Sequence, residues 1–502
     1  MKILNLQQIR EADQYTIAHE PVLSIDLMER AASACCRWIE NHFAKDRSIK
    51  IFCGPGNNGG DGLAIGRMLI HSGYNVEVYT IRTGQKTSED FKENEQRLLG
   101  MDTNVIREIK VEKDIPFISG DELVVDTIFG SGLNRPVNGI VAKVIEEMNG
   151  SNAFVISIDI PSGLHAENPV VDKAVVVQAS VTLTFQFPKL SFMFPSGGKF
   201  CGKFEVLDIR LHPQFIRQLE TKWNYFTHQD AVPLLSKRLK FSHKGNYGHA
   251  LLISGSKGKM GAAVLASKGC LRTGVGLLTV HVPGCGTSIL QTTVPEAMLR
   301  IDMNENCISD LPDFSNFSAV GIGPGIGTDP LTWETLRHLL YSFRKPVLLD
   351  ADAINILSQH PDWMEYIPEN SILTPHIKEF SRLTKETKND FERMEIQMEF
   401  AKKYKVFVVL KGAHTCTVGP DGNAWFNSTG NPGMARGGSG DVLTGIILSL
   451  LAQGYSSHDA TRLGVYIHGL AGDAAAKIKT EIGMLPKDLI KYLPIAFRQI
   501  QG

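Results

Sequence analysis

Residues 49–62 read Ile49-Lys50-Ile51-Phe52-Cys53-Gly54-Pro55-Gly56-Asn57-Asn58-Gly59-Gly60-Asp61-Gly62, and this stretch decides the fold class. A short apolar run gives way to a glycine cluster, and helical apolar spacing follows over Leu63–Leu69. Strand, tight turn and helix in that order predict a parallel α/β layer.

The same rhythm extends outward. Further β-rich runs lie at Asn75–Ile81, Leu123–Ile128, Phe154–Ile158, Val181–Phe185 and Phe204–Ile209, with another helical pattern at Val141–Met148. These predict a three-layer, Rossmann-like domain over residues 1–212. Around His212–Leu239 the rhythm stops in a mixture of Pro, Gln, Lys and Arg, so residues 213–235 read as a linker with some helix. It restarts at His249–Ser254, Leu277–Val282, Ala319–Ile322, Val347–Asp350, Ile372–Thr374 and Val406–Leu410, then closes with helical patterns at Asp441–Gln453 and Ser457–Lys477. Residues 236–502 are therefore read as a second α/β domain. A chain of 502 residues exceeds what one core organises.

Composition excludes several classes. With 43% hydrophobic and 21% charged residues the chain is globular, and a net charge of −1 gives no field for nucleic acid or an anionic membrane. The eight Cys form no CxxC pair, so free thiols are expected. The N-terminus lacks a signal-like apolar core, and Val442–Ala452 is too short to span a bilayer. A cytoplasmic protein is expected.

Formally, Gly54, Gly56 and Gly59 satisfy GxGxxG between a strand and a helix, the mark of a dinucleotide-binding dehydrogenase. Two features oppose that reading. The second strand ends in Thr80-Ile81-Arg82 rather than in a ribose-binding acid, and Asn57, Asn58 and Asp61 crowd a loop where pyrophosphate needs bare backbone. Two more strand ends carry chemistry: Asp126, followed by Gly130-Ser131-Gly132-Leu133, and Ile158-Asp159-Ile160-Pro161-Ser162-Gly163. Ligands of open α/β sheets bind beyond such carboxyl ends. Asn58, Asp126, Asp159 and Ser162 all offer oxygen, as a hard cation requires. The plain alternative is that these residues only shape turns.

The strings GPGNNGGDG, VVDTIFGSGL and SIDIPSGL at these spacings resemble the family of NAD(P)H-hydrate epimerases, the YjeF N-terminal domain, over roughly residues 1–212. The resemblance implies that Asn57, Asn58, Gly59, Gly60, Asp61, Gly130, Ser131, Gly132, Leu133, Asn134, Arg135, Pro136 and Asp159 contact hydrated nicotinamide nucleotide. It implies a potassium ion on Asn58, Asp126 and Ser162. Inverting C6 of the reduced ring needs proton movement, for which Asp159 is the candidate acid/base.

In the second half no GxxxxGK[ST] occurs, so a P-loop is excluded. Instead Gly430-Asn431-Pro432-Gly433-Met434-Ala435-Arg436-Gly437-Gly438-Ser439-Gly440-Asp441 precedes an apolar helix. Bare amides at a positive helix end suit a phosphoryl group in transfer, and Asp441 stands where it can take a proton from an attacking hydroxyl. Asp441 as a mere N-cap is the alternative. Lys411-Gly412-Ala413-His414-Thr415, Leu373-Thr374-Pro375-His376-Ile377-Lys378-Glu379 and Gly321-Ile322-Gly323-Pro324-Gly325-Ile326-Gly327 lie at other strand ends. His376 can equally serve loop backbone.

GxGPG, TPHxxE, KGAxT and GGSGD in this order resemble the ribokinase-like, ADP-dependent NAD(P)H-hydrate dehydratases over roughly residues 225–500. The resemblance implies that Ala262 (in the loop after the first strand of this half), Gly325, His376 and Asp441 contact the hydrate. It places adenine nucleotide on Lys411, Gly412, Ala413, His414 and Thr415 and on the loop 429–440, including Gly437, Gly438, Ser439 and Gly440. It further implies magnesium, conversion of ADP to AMP and phosphate, NADHX and NADPHX as substrates, and a homotetramer or larger symmetric oligomer. The rival readings are a small-molecule kinase for a vitamin or sugar, fused to a dehydrogenase-like domain or to a binding module, since related first domains serve in mRNA-decapping scaffolds.

Overall fold

The computed structural model describes residues 1–20, 22–82, 86–101, 104–133 and 135–502. The chain divides into two compact units. One holds Lys2–Thr221 with Asn389–Phe391; the other holds Met1, Lys222–Lys388 and Glu392–Gly502.

The first unit is a seven-stranded parallel sheet. Its strands are β1 (Ile49–Cys53), β2 (Val76–Ile81), β3 (Ile106–Ile109), β4 (Leu123–Thr127), β5 (Phe154–Ile158), β6 (Val181–Phe185) and β7 (Lys203–Leu207), in the spatial order β3-β2-β1-β4-β5-β6-β7. Ile51, Val78, Val125 and Ile156 are fully buried along it, each contributing roughly 1.5–3 kcal/mol of hydrophobic stabilisation. From β1 the chain winds toward β2 and β3; from β4 it winds the other way. The loops after β1 and β4 thus part at a switch point, which opens a crevice at the carboxyl ends. Phe52 pairs with Asp126, and Asp126 with Ser157, so the three strand ends predicted to carry chemistry finish side by side.

The Asn57–Asp61 segment is not a loop. The helix Asn57–His71 starts there, with Gly56 as its extended N-cap. Small residues let this helix settle onto the strand ends: a Cβ on Gly62 would lie 2.1 Å from Thr127 Oγ1 and 2.7 Å from Cys53 Sγ. The glycines serve close packing of helix on sheet as much as ligand approach.

The second unit has a ten-stranded sheet: β8 (Trp223–Phe226), β9 (His249–Ile253), β10 (Leu277–Val282), β11 (Met298–Ile301), β12 (Ala319–Ile322), β13 (Val347–Leu349), β14 (Ile372–Leu373), β15 (Phe407–Leu410), β16 (Cys416–Val418) and β17 (Ala424–Asn427). The order is β11-β10-β9-β12-β13-β14-β15-β16-β17-β8. Pairing is parallel except where the β15-β16-β17 meander runs antiparallel. The stretch read as a linker, 213–235, is structured: Pro213–Gln218 is helical, and Trp223–Phe226 completes the sheet beside β17 with Phe226 buried. Four residues with three aromatic rings suffice for an edge strand, too few to show a period.

The helix Ser439–Ala452 is apolar on every side because it is buried, packed on Met260–Arg272 and Ser457–Gly483. All eight Cys are unpaired. Among the described residues, no helix is long and apolar enough to cross a membrane.

Candidate functional site

At the switch point of the first unit lies a cavity of about 460 Å³. Of the predicted substrate residues, Asn57, Asn58, Asp61, Gly130, Ser131, Gly132, Leu133, Arg135 and Asp159 line it. Gly59 and Gly60 are buried in the helix against Gly54 and Met28, Pro136 is exposed and off the cavity wall, and Asn134 lies outside the described residues.

Asp159 follows β5 with φ at +66°, in the left-handed region that Asp tolerates better than most residues. One carboxylate oxygen, Oδ1, pairs with Lys189 Nζ at 2.7 Å; Oδ2 accepts from Ser131 N at 3.1 Å. Lys189 is buried and also donates to Thr184 Oγ1 and the Phe187 carbonyl. Burial would push the Asp159 carboxyl up, but the ammonium and these hydrogen bonds outweigh it and hold Asp159 below the usual carboxylate range. Asp61 responds the other way: burial, then the charges of Asp159 and Asp13, push it well up.

Asp126 is fully buried. Its oxygens accept from Ser162 Oγ at 2.5 Å, Ser162 N at 2.9 Å, Ser157 Oγ at 2.8 Å and Ile128 N at 3.2 Å. Ser162 Oγ in turn accepts from Phe129 N at 2.8 Å. Burial pushes Asp126 up even against these bonds. The Asn58 side chain is buried, with neither amide atom hydrogen-bonded. A buried amide left without a partner is costly. An oxygen-seeking cation beside it would satisfy its carbonyl, whereas the Asp126 carboxylate and the Ser162 hydroxyl already have hydrogen-bond partners.

The second unit presents its site at the carboxyl ends of β9, β12, β13, β14 and β15. Gly438, in the left-handed conformation at φ +100°, is the N-cap of Ser439–Ala452, and no side chain hydrogen-bonds this cap. Asp441 therefore is not the cap; it stands in the first turn. Its carboxyl is pushed up to about 7, by burial first and then by Asp350. That is where a general base working near neutrality belongs.

Lys411 was expected to contact nucleotide. Its Nζ bonds Asp350 Oδ1 at 2.9 Å, while Thr444 Oγ1 donates to Asp350 Oδ2 at 2.6 Å. A Cβ on Gly440 would lie 3.3 Å from the same Nζ, which puts the lysine against the helix start. Burial would lower Lys411, but the charges of Asp350, Glu379 and Asp441 and the hydrogen bond to Asp350 together outweigh it, and the ammonium is retained. Gly412 and Ala413 are exposed; Thr415 Oγ1 donates to the Gly412 carbonyl at 3.0 Å, and His414 Nδ1 lies 2.9 Å from the Asn427 carbonyl. His376 caps the helix Ile377–Leu383, its Nδ1 accepting from Glu379 N at 3.2 Å, and bridges to Lys411 through the backbone. The alternative reading of His376 is thus fulfilled, without removing the ring from the site. Ala262 is helical, in the first turn of Met260–Arg272 rather than in a loop, and a Cβ on Gly325 would lie 3.0 Å from its Cβ. These two predicted substrate residues are neighbours. Asp473 holds the 429–440 loop by accepting from Gly430 N at 2.9 Å and Asn431 Nδ2 at 3.0 Å.

Sequence reasoning missed Lys189, Asp350, Thr444 and Asp473. Only Asp350 carried a signal, since it ends a predicted strand.

Residues 24–191 match the family described as YjeF-related protein N-terminus, and residues 250–495 match NAD(P)H-hydrate dehydratase. The chain is 36% identical to a bifunctional NAD(P)H-hydrate repair enzyme of Thermofilum pendens, covering 100% of this chain and 97% of that one. It is 34% identical to the enzyme of that name from Moorella thermoacetica, with the same coverage of 100% and 97%. A solved ADP/ATP-dependent NAD(P)H-hydrate dehydratase from Bacillus subtilis, co-crystallised with ATP/Mg2+, shares 31% identity over 55% of this chain and 98% of its own, with a TM-score of 0.49. With two family domains in one chain and full-length relatives above 30% identity, this chain belongs to the bifunctional NAD(P)H-hydrate repair enzymes.

Proposed function

We propose that the chain restores hydrated NADH and NADPH in two consecutive steps. The first unit interconverts the R and S epimers at C6, and the second dehydrates the S epimer at the expense of ADP, giving AMP and phosphate. The observation that carries this reading is the pair of sites: an ionised Asp159 in an enclosed crevice, and Asp441 poised near neutrality at an uncapped helix N-terminus.

In the second unit Asp441 takes the proton of the C6 hydroxyl as its oxygen attacks the terminal phosphoryl group. The amides at the start of Ser439–Ala452, with the positive helix end, stabilise the charge of that group in transfer. The resulting phosphate ester is a good leaving group, and the lone pair of the ring nitrogen expels it to restore the reduced nicotinamide. Lys411, tied to Asp350, sets the field around Asp441. The loops 411–415 and 429–440 receive the adenine nucleotide, with Gly325, Ala262 and His376 facing the hydrate. Magnesium would neutralise the nucleotide phosphates.

In the first unit Asn57–Asp61, Gly130–Leu133, Arg135 and Asp159 hold the nucleotide. Potassium on Asn58, Asp126 and Ser162 would fix the loops after β4 and β5. We place the enzyme in the cytoplasm as a symmetric oligomer of at least four copies. Purified protein mixed with both NADHX epimers, with and without ADP, tests the reading by chiral chromatography. Epimers that equilibrate without ADP and vanish with it support it; a product phosphorylated but never dehydrated would make the second unit a small-molecule kinase.

A further inference from the structure

The cavity of the first unit holds a carboxyl that the family motifs do not reach. Asp13 lies on the helix Leu6–His19, one turn from Arg10, and both line the cavity together with Asp61 and Asp159. Among the described residues the Asp13 carboxyl has no hydrogen-bond or ion-pair partner, although Asp159 and Lys189 are near enough to act on it electrostatically. Burial and then the Asp159 charge push Asp13 up to about 6, whereas Lys189 keeps Asp159 ionised. The charged and titratable groups around Asp13 are Asp159 after β5, Lys189 after β6, Asp61 on Asn57–His71, Arg10 on its own helix and Arg135 on the cavity wall. Two carboxyls in one cavity with protonation preferences driven apart form the pattern of an acid and a base.

We propose that Asp13 is the second proton-transfer residue of epimerisation, working opposite Asp159. This rests on assigning epimerisation to the first unit. The substrate's C6 bears both a hydroxyl and the ring nitrogen, so its configuration can be lost without any redox change. Asp159 takes the hydroxyl proton as the C6–O bond becomes a carbonyl. The C6–N1 bond breaks, its electron pair goes to N1, and Asp13 gives N1 a proton. Rotation about C5–C6 turns the other face of the aldehyde toward N1. Reclosure then runs the transfers backward: N1 attacks C6, Asp13 recovers its proton, and the new hydroxyl takes one from Asp159. No oxidant, reductant or further reactant is consumed.

The test uses the full chain, with R and S NADHX interconversion followed by chiral chromatography in the absence of ADP. Asp13→Asn should lower kcat for epimerisation on the order of 10²–10⁴-fold with little change in KM, and Asp13→Glu should recover part of it. The wild-type rate should fall as pH rises through a value near 6, as the acid is lost, and this limb should be missing in Asp13→Asn. ADP-dependent dehydration of the S epimer should be unchanged in both variants, which controls for folding. An Asp13→Asn enzyme with normal kcat and the same pH limb overturns the proposal. A wild type that dehydrates the S epimer but never equilibrates the two overturns the parent assignment as well, and is told apart by failing before any substitution is made.

Discussion

Asp159 and Asp441 occupy comparable places in the two units, each beyond the carboxyl ends of a parallel sheet and each accompanied by a lysine, yet their electrostatics are opposite. Lys189 is buried and gives its ammonium directly to Asp159, which stays ionised. Lys411 gives its ammonium to Asp350, so Asp441 feels burial and a neighbouring negative charge and rises to about 7. A lysine near an aspartate does not fix that aspartate's charge; which carboxylate the lysine bonds decides it. One unit thus keeps an ionised carboxylate in its cavity, and the other a carboxyl that changes state near neutrality.

The largest effect that could break this comparison is at Asp441. Asp441→Asn should reduce ADP-dependent dehydration on the order of 10²–10⁴-fold while R/S equilibration is untouched; near-normal dehydration would remove Asp441 from the role of base. Lys411→Met comes next. Without its counter-ion Asp350 presses harder on Asp441, so dehydration should fall by about tenfold or more, and its rising pH limb should move upward from about 7. A lower rate with an unmoved limb would mean that the lysine only binds nucleotide.

Asp126→Asn sharpens the other half. It removes the formal charge from the proposed potassium ligands, so epimerisation should weaken and become equal in potassium and sodium buffers; an undiminished potassium response places the ion elsewhere. The smallest effect is on stability. The folded Asp441 carboxyl stands above its ordinary value of 3.8, so the protonated form favours folding fully below about 4, and that contribution is lost as pH rises through about 7. Asp441→Asn should therefore melt near wild type at about pH 4 and above it at about pH 8, by calorimetry.

How much of this was legible in the sequence followed from physical signal. Buried central strands such as Ile49–Cys53 and Phe154–Ile158 announce themselves by apolar, β-branched runs. The edge strands Ile106–Ile109 and Met298–Ile301 are mostly solvent-facing and only four residues long, too short to show a period. Asn57–Asp61 looks like a turn because Asn, Gly and Asp are poor helix formers, and packing on Thr127 overrides that preference. Asp159 and Asp441 were found through glycine motifs beside them. Lys189 and Asp13 have no local signature, because their roles come from partners distant in the chain; Asp350 shows only as a strand end, and the Lys411 it bonds is 61 residues away.

The central claim is that two independent sites act in series, and one measurement reaches it most directly. Full-length Asp159→Ala is given an equal mixture of both NADHX epimers with excess ADP, and each epimer is followed by chiral chromatography. The second unit has its own core and its own site, so the account predicts rapid loss of the S epimer and persistence of the R epimer beyond slow spontaneous conversion. Wild type should consume both. Rapid, complete consumption by Asp159→Ala, or failure to use either epimer, would contradict the account.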